Sequence, residues 1–361
     1  MVLNYKCPGC GASMVYDARK KCLVCDYCNT QVSVDQLSGE EKEQLEEELQ
    51  ADSFSQASAE ENTAEEAVDD DGREEFRACH CPNCGAQMLT EENTAAAFCA
   101  FCGSPVIFEK ELTGEKRPAG IIPFRIQKEE AADRFVKWTK KGLFTPSSFN
   151  RSYTMEKITG IYVPFWLYDY QVNAWYSAHG TRVRHEVRGD YRYTHTDHFR
   201  IQRELEAQFD KIPADASKKM PDDVMDSLEP FHYEELKEFQ MPYLSGFLAD
   251  RYDYTGAEMR SRVESRVQKY TEEEARRTMT GYATVNITYR DVRPRNTRMM
   301  YVMFPVWTIR YTYIGKQYTF TMNGQTGKLI GTLPISWGKA AAWFAGMTAA
   351  FTALLTMIQL L

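Results

Sequence analysis

The chain has 361 residues, of which 43% are hydrophobic and 26% charged, a composition that excludes a disordered or fibrous protein. Its net charge of −8 conceals a split: residues 39–75 hold 16 acidic side chains against Lys42 and Arg73, and everything else is net +6. All ten cysteines lie at or before position 102, which excludes a secreted scaffold stapled throughout by disulfides. Clustering in Cys-x2-Cys pairs points instead to metal in a reducing compartment, and the opening MVLNYKCPGC lacks the apolar stretch of a signal peptide.

Residues 1–34 form a first cysteine module, Cys7-x2-Cys10-x14-Cys25-x2-Cys28. Residues 35–78 follow as an acidic linker, rich in Ser and Ala and nearly free of large apolar residues, for which disorder is expected. Residues 79–108 repeat the first module as Cys81-x2-Cys84-x14-Cys99-x2-Cys102, every cysteine displaced by 74 positions. Four thiolates from two knuckles suit tetrahedral Zn²⁺, and with four protein ligands no coordination position is left for a substrate water, so two structural ions are expected. A module of ~30 residues buries too little apolar surface to fold alone, whereas structural zinc supplies on the order of 10–16 kcal/mol. The repeat also separates ligands from bystanders. Cys22 aligns with Ala96 and Cys79 with Tyr5, so these two are read as free thiols.

Zinc ribbons often touch nucleic acid, so charge decides how these two are read. Between positions 79 and 108 there is no Lys or Arg, while Glu91 and Glu92 add to the −2 of a Zn²⁺-tetrathiolate, and such a surface repels phosphate. The first module sets Lys6, Arg19, Lys20 and Lys21 against Asp17 and Asp26, about neutral once its metal is counted. Protein contact is the expected use.

Residues 109–336 read as an α+β domain with antiparallel sheet. A strand is predicted over 117–126 and an amphipathic helix over 128–142, with Ala131, Phe135 and Trp138 on one face. Trp166, Tyr168, Tyr170 and Val172 alternate as a half-buried strand requires. Further strands are predicted at 181–188 and 191–202, joined by a hairpin turn at Arg188-Gly189-Asp190. The polar, Pro-punctuated segment 203–255 reads as loops and short helices, and 256–281 as a long charged helix. Strands are predicted at 282–290, 298–313, 316–323 and 327–333, the last two flanking Asn323-Gly324. No catalytic site is expected: His179, His185, His195 and His198 read as exposed strand histidines, and Gly324-Gln-Thr-Gly327-Lys328 lacks the first Gly and the final Ser/Thr of a phosphate loop.

Residues 337–361 end the chain. From 340 to 361 there are 22 residues without a formal side-chain charge, and a helix of that length, at about 1.5 Å per residue, matches a bilayer core of ~30 Å. Trp337 and Trp343 fit an interfacial belt and Lys339 can snorkel. A single tail anchor with residues 1–336 in the cytoplasm is therefore expected, and the ridge Ala342-x3-Gly346-x3-Ala350 offers a surface for homo-oligomeric helix pairing.

The CPxCG knuckles, PFWLYDY, GDYRYTHTDHF, KKMPDDVMDSLEPFHYEELKEF, PYLSGFLADRYD, YTFTMNGQTGK and the terminal apolar segment together resemble bacterial transcription-factor-IIB-type zinc-ribbon membrane proteins. The resemblance covers the whole chain. It implies a membrane-anchored cytoplasmic scaffold that keeps company with SPFH/flotillin-like and phage-shock-type membrane-stress proteins, without catalysis, and it assigns zinc to Cys7, Cys10, Cys25, Cys28, Cys81, Cys84, Cys99 and Cys102. One departure is Asn29, where a glycine is usual after the last cysteine of a ribbon; Asn tolerates the left-handed backbone nearly as well. The competing reading is a membrane-tethered nucleic-acid-binding regulator that uses the same ribbons.

Overall fold

The computed structural model describes residues 2–37, 76–146 and 158–360. Most of the acidic stretch read as a linker lies outside the described residues. In chain order the elements are β1 (Val2–Leu3), β2 (Met14–Asp17), β3 (Cys22–Cys25), β4 (Gln31–Ser33), β5 (Phe76–His80), β6 (Gln87–Glu91), β7 (Thr94–Phe98), β8 (Pro105–Phe108), β9 (Gly120–Ile121) and α1 (Lys128–Thr139). Then come β10 (Ile158–Arg188), β11 (Tyr191–Asp215), α2 (Asp222–Ser227), β12 (Lys237–Glu238), β13 (Leu248–Asp250), α3 (Gly256–Thr278), β14 (Thr284–Tyr313), β15 (Lys316–Asn323), β16 (Leu329–Ile330) and α4 (Trp337–Leu360). They divide into two compact units, one of Met1–Pro164, Lys219–Arg251 and Met303–Leu361, the other of Phe165–Lys218 and Tyr252–Val302.

In the first unit an antiparallel-rich sheet runs β1-β8-β7-β13-β10, with only the β13–β10 pairing parallel. The cysteine modules are built into this unit, which departs from the expectation of separate ribbons. The reason is that their strand edges find partners. Val2 and Leu3 pair with Phe108 and Ile107, and Ala96 pairs with Ala249. The first module docks through Tyr16, whose amide donates to Ser245 O at 2.9 Å, while Ser245 Oγ donates to Met14 O at 2.7 Å. The Tyr16 and Tyr243 rings meet edge to face at 5.2 Å. Just past the second module, Glu111 is buried and satisfied by Arg77 at 2.8 Å, Lys116 at 3.1 Å and Arg251 at 3.6 Å, so its buried charge is not stranded.

Helix α1 has the predicted face, burying Ala131, Ala132 and Phe135, with Phe135 and Trp138 packed on Phe320 at 5.0 and 5.7 Å. The strand predicted over 117–126 shrinks to β9. Beyond it the amides of Ile122, Arg125 and Ile126 bond to Met303 O and Gly324 O, and Phe124 stacks on Phe247 at 4.1 Å. The Gly324–Lys328 segment is the turn the sequence implied: Asn323 Oδ1 accepts from the amides of Gln325 and Thr326, and Gly327 takes φ +80°.

In the second unit β10 and β11 form one long antiparallel hairpin, Phe165 opposite Asp215 and Arg188 opposite Tyr191, turning at Gly189 with φ +60°. The loops expected from 203 onward are strand as far as Asp215. Phe199, Ile201, Leu205, Ala207 and Phe209 keep a period of two through a very polar stretch, and that half-apolar alternation is sufficient for a strand with one wet face. Helix α3 lays Met259, Val263, Val267, Thr271 and Ala275 against Tyr168, Tyr170, Val172, Ala174 and Tyr176. Thr255 and Glu258 cap it reciprocally. The strands predicted at 282–290 and 298–313 are one strand, β14. As positions on β10 rise from Asp169 through Ser177 to Thr181, their bonded partners on β14 fall from Thr297 through Thr288 to Thr284, which is antiparallel pairing. Pro294 is tolerated there because, among the described residues, this part of β14 is paired on one side only.

Candidate metal centres

Four knuckles of the same backbone design hold the eight repeated cysteines. In each, the amide of the first cysteine bonds to a carbonyl five residues on: Cys7 N to Ala12 O, Cys25 N to Thr30 O, Cys81 N to Ala86 O and Cys99 N to Ser104 O, at 2.7 to 3.0 Å. The return bonds run from Gly11, Asn29, Gly85 and Gly103 to the same cysteines' carbonyls. Those four residues sit at φ +73°, +57°, +73° and +72°. The left-handed position is thus required four times, and Asn29 meets it without being glycine.

The structure brings the sulfurs together in two groups, Cys7, Cys10, Cys25, Cys28 and Cys81, Cys84, Cys99, Cys102, with all four Sγ atoms of each group within 4.8 Å of one another. A tetrahedron with metal–sulfur bonds of about 2.3 Å requires sulfur–sulfur separations of about 3.8 Å. The second group matches, with Cys81–Cys102 at 3.7 Å and Cys84–Cys99 at 3.8 Å. The first is slightly tighter, at 3.4 Å for Cys7–Cys28 and 3.5 Å for Cys10–Cys25. Each group converges on one point and can hold one metal ion, with two members buried and two exposed.

Hydrogen-bonding groups surround the sulfurs. Gly9 N reaches Cys7 Sγ at 3.4 Å. Thr30 Oγ1 lies 3.0 Å from Cys28 Sγ, and in the second group Ser104 Oγ lies 3.4 Å from Cys102 Sγ with Asn83 Nδ2 at 3.7 Å. The Thr30 hydroxyl, followed by its amide, pulls the Cys28 thiol down to about 6, and Ser104 likewise pulls Cys102 down to about 5. In Cys10 the Ala12 amide favours the thiolate, yet the neighbouring sulfurs of Cys25, Cys28 and Cys7 together with burial outweigh it and push the thiol up to about 12; in Cys84 the Ala86 amide is likewise outweighed by Cys102, burial, Cys81 and Cys99 together. Each group therefore favours a thiolate on at least one sulfur, Cys28 and Cys7 in the first and Cys102 in the second, which suits binding of a cation. Thr30 and Ser104 escaped the sequence reading, although they occupy equivalent positions in the repeat, 74 apart.

Cys22 and Cys79 stay outside both groups. Each is half-buried, with Cys22 Sγ 3.9 Å from Gln31 Oε1 and Cys79 Sγ 3.7 Å from Met88 O, and burial raises both thiols above their ordinary value. Among the described residues the histidines join no metal-ligand group: His179 Nε2 and His198 Nδ1 stand 3.2 Å apart on an exposed strand surface, and His195 faces Glu186 at 3.5 Å. The two modules touch directly, Lys6 Nζ donating to Asn83 Oδ1.

No protein-family model matches the chain, and no solved structure matches it. The uncharacterized protein YdjG of Bacillus subtilis (strain 168) is 39% identical over 361 residues, which is all of this chain and 98% of that protein. The chain belongs to the YdjG family. The likeness to YdjG thus runs through both cysteine modules, both compact units and the terminal helix. That helix, over Trp337–Gln359, is long and apolar enough to cross a membrane and is nowhere buried against the rest of the chain.

Proposed function

We propose that this protein is a membrane-anchored zinc-ribbon scaffold that holds cytoplasmic or membrane-associated proteins at the bacterial membrane in a membrane-stress response. In this reading both four-sulfur groups are zinc ribbons, α4 crosses the bilayer once, and the remainder faces the cytoplasm, where thiols stay reduced. The partners are SPFH/flotillin-like or phage-shock-type proteins, as the resemblance implies. The protein is not an enzyme in this account, because four protein sulfurs around each ion leave no position for a substrate.

One observation carries the docking role. Between the last two cysteines of each module stands an aromatic side chain, Tyr27 and Phe101, at equivalent positions of the repeat and 86% and 72% exposed. Neither ring contributes to a core, and exposed aromatics fixed on a rigid knuckle are what hot spots of protein interfaces are made of. Lys6 beside the Cys7 knuckle donates to Asn83 of the Cys81 knuckle, so the two modules are held together, and in this reading a partner engages both.

The test is purification of tagged full-length protein from native membranes beside a Tyr27→Ser/Phe101→Ser variant, followed by identification of co-purifying proteins. The expected result is enrichment of SPFH or phage-shock-type proteins by the parent, lost in the variant at unchanged metal content. Recovery of nucleic acid and no such proteins would instead support the membrane-tethered regulator.

A further inference from the structure

The membrane reading of α4 has a geometric consequence for a loop distant in sequence. The loop after α1, Gly142–Thr145, is fastened to the first two turns of α4. Lys339 Nζ donates to Thr145 O at 2.6 Å, and Ser336 N donates to Phe144 O at 2.8 Å. The Phe144 ring meets Trp343 edge to face at 5.8 Å. Gly142 leaves room at the junction: a Cβ there would run into Thr145 Oγ1 and stand 2.8 Å from Leu333 Cδ1, so a larger residue would push both side chains aside.

Trp343 lies three residues inside the uncharged stretch that begins at Ala340, about 4–5 Å along the helix axis at ~1.5 Å per residue. Because Phe144 is packed against it, the loop cannot stay in bulk water when the helix is inserted. Its neighbours have the matching chemistry. Leu143, Ile335 and Trp337 are 62%, 52% and 75% exposed, forming with Phe144 and Trp343 an apolar rim beside the helix. The chain leading into this loop carries Lys137, Lys140 and Lys141, all exposed, and residues 134–146 contain no Asp or Glu. The chain has no acidic side chain after Asp291.

We infer that the α1–α4 corner is a second membrane-contacting surface: Leu143 and Phe144 enter the headgroup–acyl boundary while Lys137, Lys140 and Lys141 bind anionic lipid headgroups. An apolar tip backed by a basic collar is the pattern by which interfacial segments hold to anionic bilayers. The occupant is lipid because the rim is continuous with the exposed face of a helix long and apolar enough to cross a bilayer. This corner then fixes the orientation of the first unit on the bilayer, which a single helix on a free tether would not do. The inference rests on α4 being a membrane span.

The experiment uses full-length protein carrying a photo-cross-linking amino acid at Leu143, and separately at Phe351 in the helix. Each is reconstituted into vesicles of phosphatidylcholine, with or without an equal part of phosphatidylglycerol. Lipid adducts at both positions are expected, with the adduct at position 143 several-fold stronger on anionic vesicles and that gain removed by Lys140→Glu/Lys141→Glu. Adducts at 351 without adducts at 143 would overturn the inference and leave the anchor standing. Adducts at neither would overturn the anchor and the inference together. As a check on unmodified protein, deuterium exchange at residues 137–145 should slow on anionic vesicles relative to phosphatidylcholine alone, and equal exchange would count against the inference.

Discussion

Replacing Cys102 by Ser tests whether metal, and not apolar packing, holds the second module together. The apolar cluster around that site is Cys81, Met88, Cys99, Val106 and Phe108. Burying Met88, Val106 and Phe108 is worth about 1.5–3 kcal/mol each, so roughly 5–9 kcal/mol in all. A bound structural ion is worth on the order of 10–16 kcal/mol, more than that cluster returns. Losing one of four thiolates, the one that Ser104 and Asn83 hold ready, should empty the site. The expected outcome in Cys102→Ser is one metal ion per chain in place of two. Hydrogen–deuterium exchange should become fast at Cys81, Gly85, Cys99 and Gly103, whose amides close the two knuckles. The first module, with its own four sulfurs, should keep its protection. Retention of two ions, or collapse of both modules together, would refute the reasoning.

Three further outcomes follow from particular residues. Asn29→Gly should leave chelator resistance of the first site unchanged, whereas Asn29→Val, forced into φ +57°, should lose roughly 1–2 kcal/mol and release metal to a competing chelator sooner. Thr255→Ala breaks the capping box of α3 and should lower stability by about 1 kcal/mol in denaturant unfolding, without changing metal content. A chain ending at Gly338 should leave the membrane fraction for the soluble one while keeping both metal sites; persistence in carbonate-washed membranes would count against α4 as the anchor.

What was legible in the sequence was chemistry with a fixed spacing. The 74-residue offset identified the eight cysteines that the structure gathers into two groups and set aside Cys22 and Cys79, because knuckle geometry is local and survives in linear order. Helix α1 was readable for the same reason, since Ala131 and Phe135 repeat every four residues, and α3 from its long charged run up to Gly281. The long strands were not. Arg203, Glu204, Glu206 and Asp210 made β11 look like a loop, although its apolar positions alternate, because a strand wet on one face carries only half a hydrophobic signal. The strands predicted at 282–290 and 298–313 left out the segment between them, which holds Pro294, and pairing on one side only accommodates that proline within β14. Nor could the sequence show that β7 and β8 would complete a sheet with β1 and β13, since strand pairing between distant segments leaves no periodic trace. The same holds for Phe144 against Trp343, about 200 residues away, a contact that no local pattern announces.

The most direct test of the account is the metal content of full-length protein purified under reducing conditions without added metal, measured by plasma mass spectrometry. Two zinc ions per chain, falling to none when Cys7, Cys10, Cys81 and Cys84 are all replaced by Ser, is the result the account predicts. A protein that is folded and membrane-bound yet carries no zinc, or carries iron in its place, would contradict it.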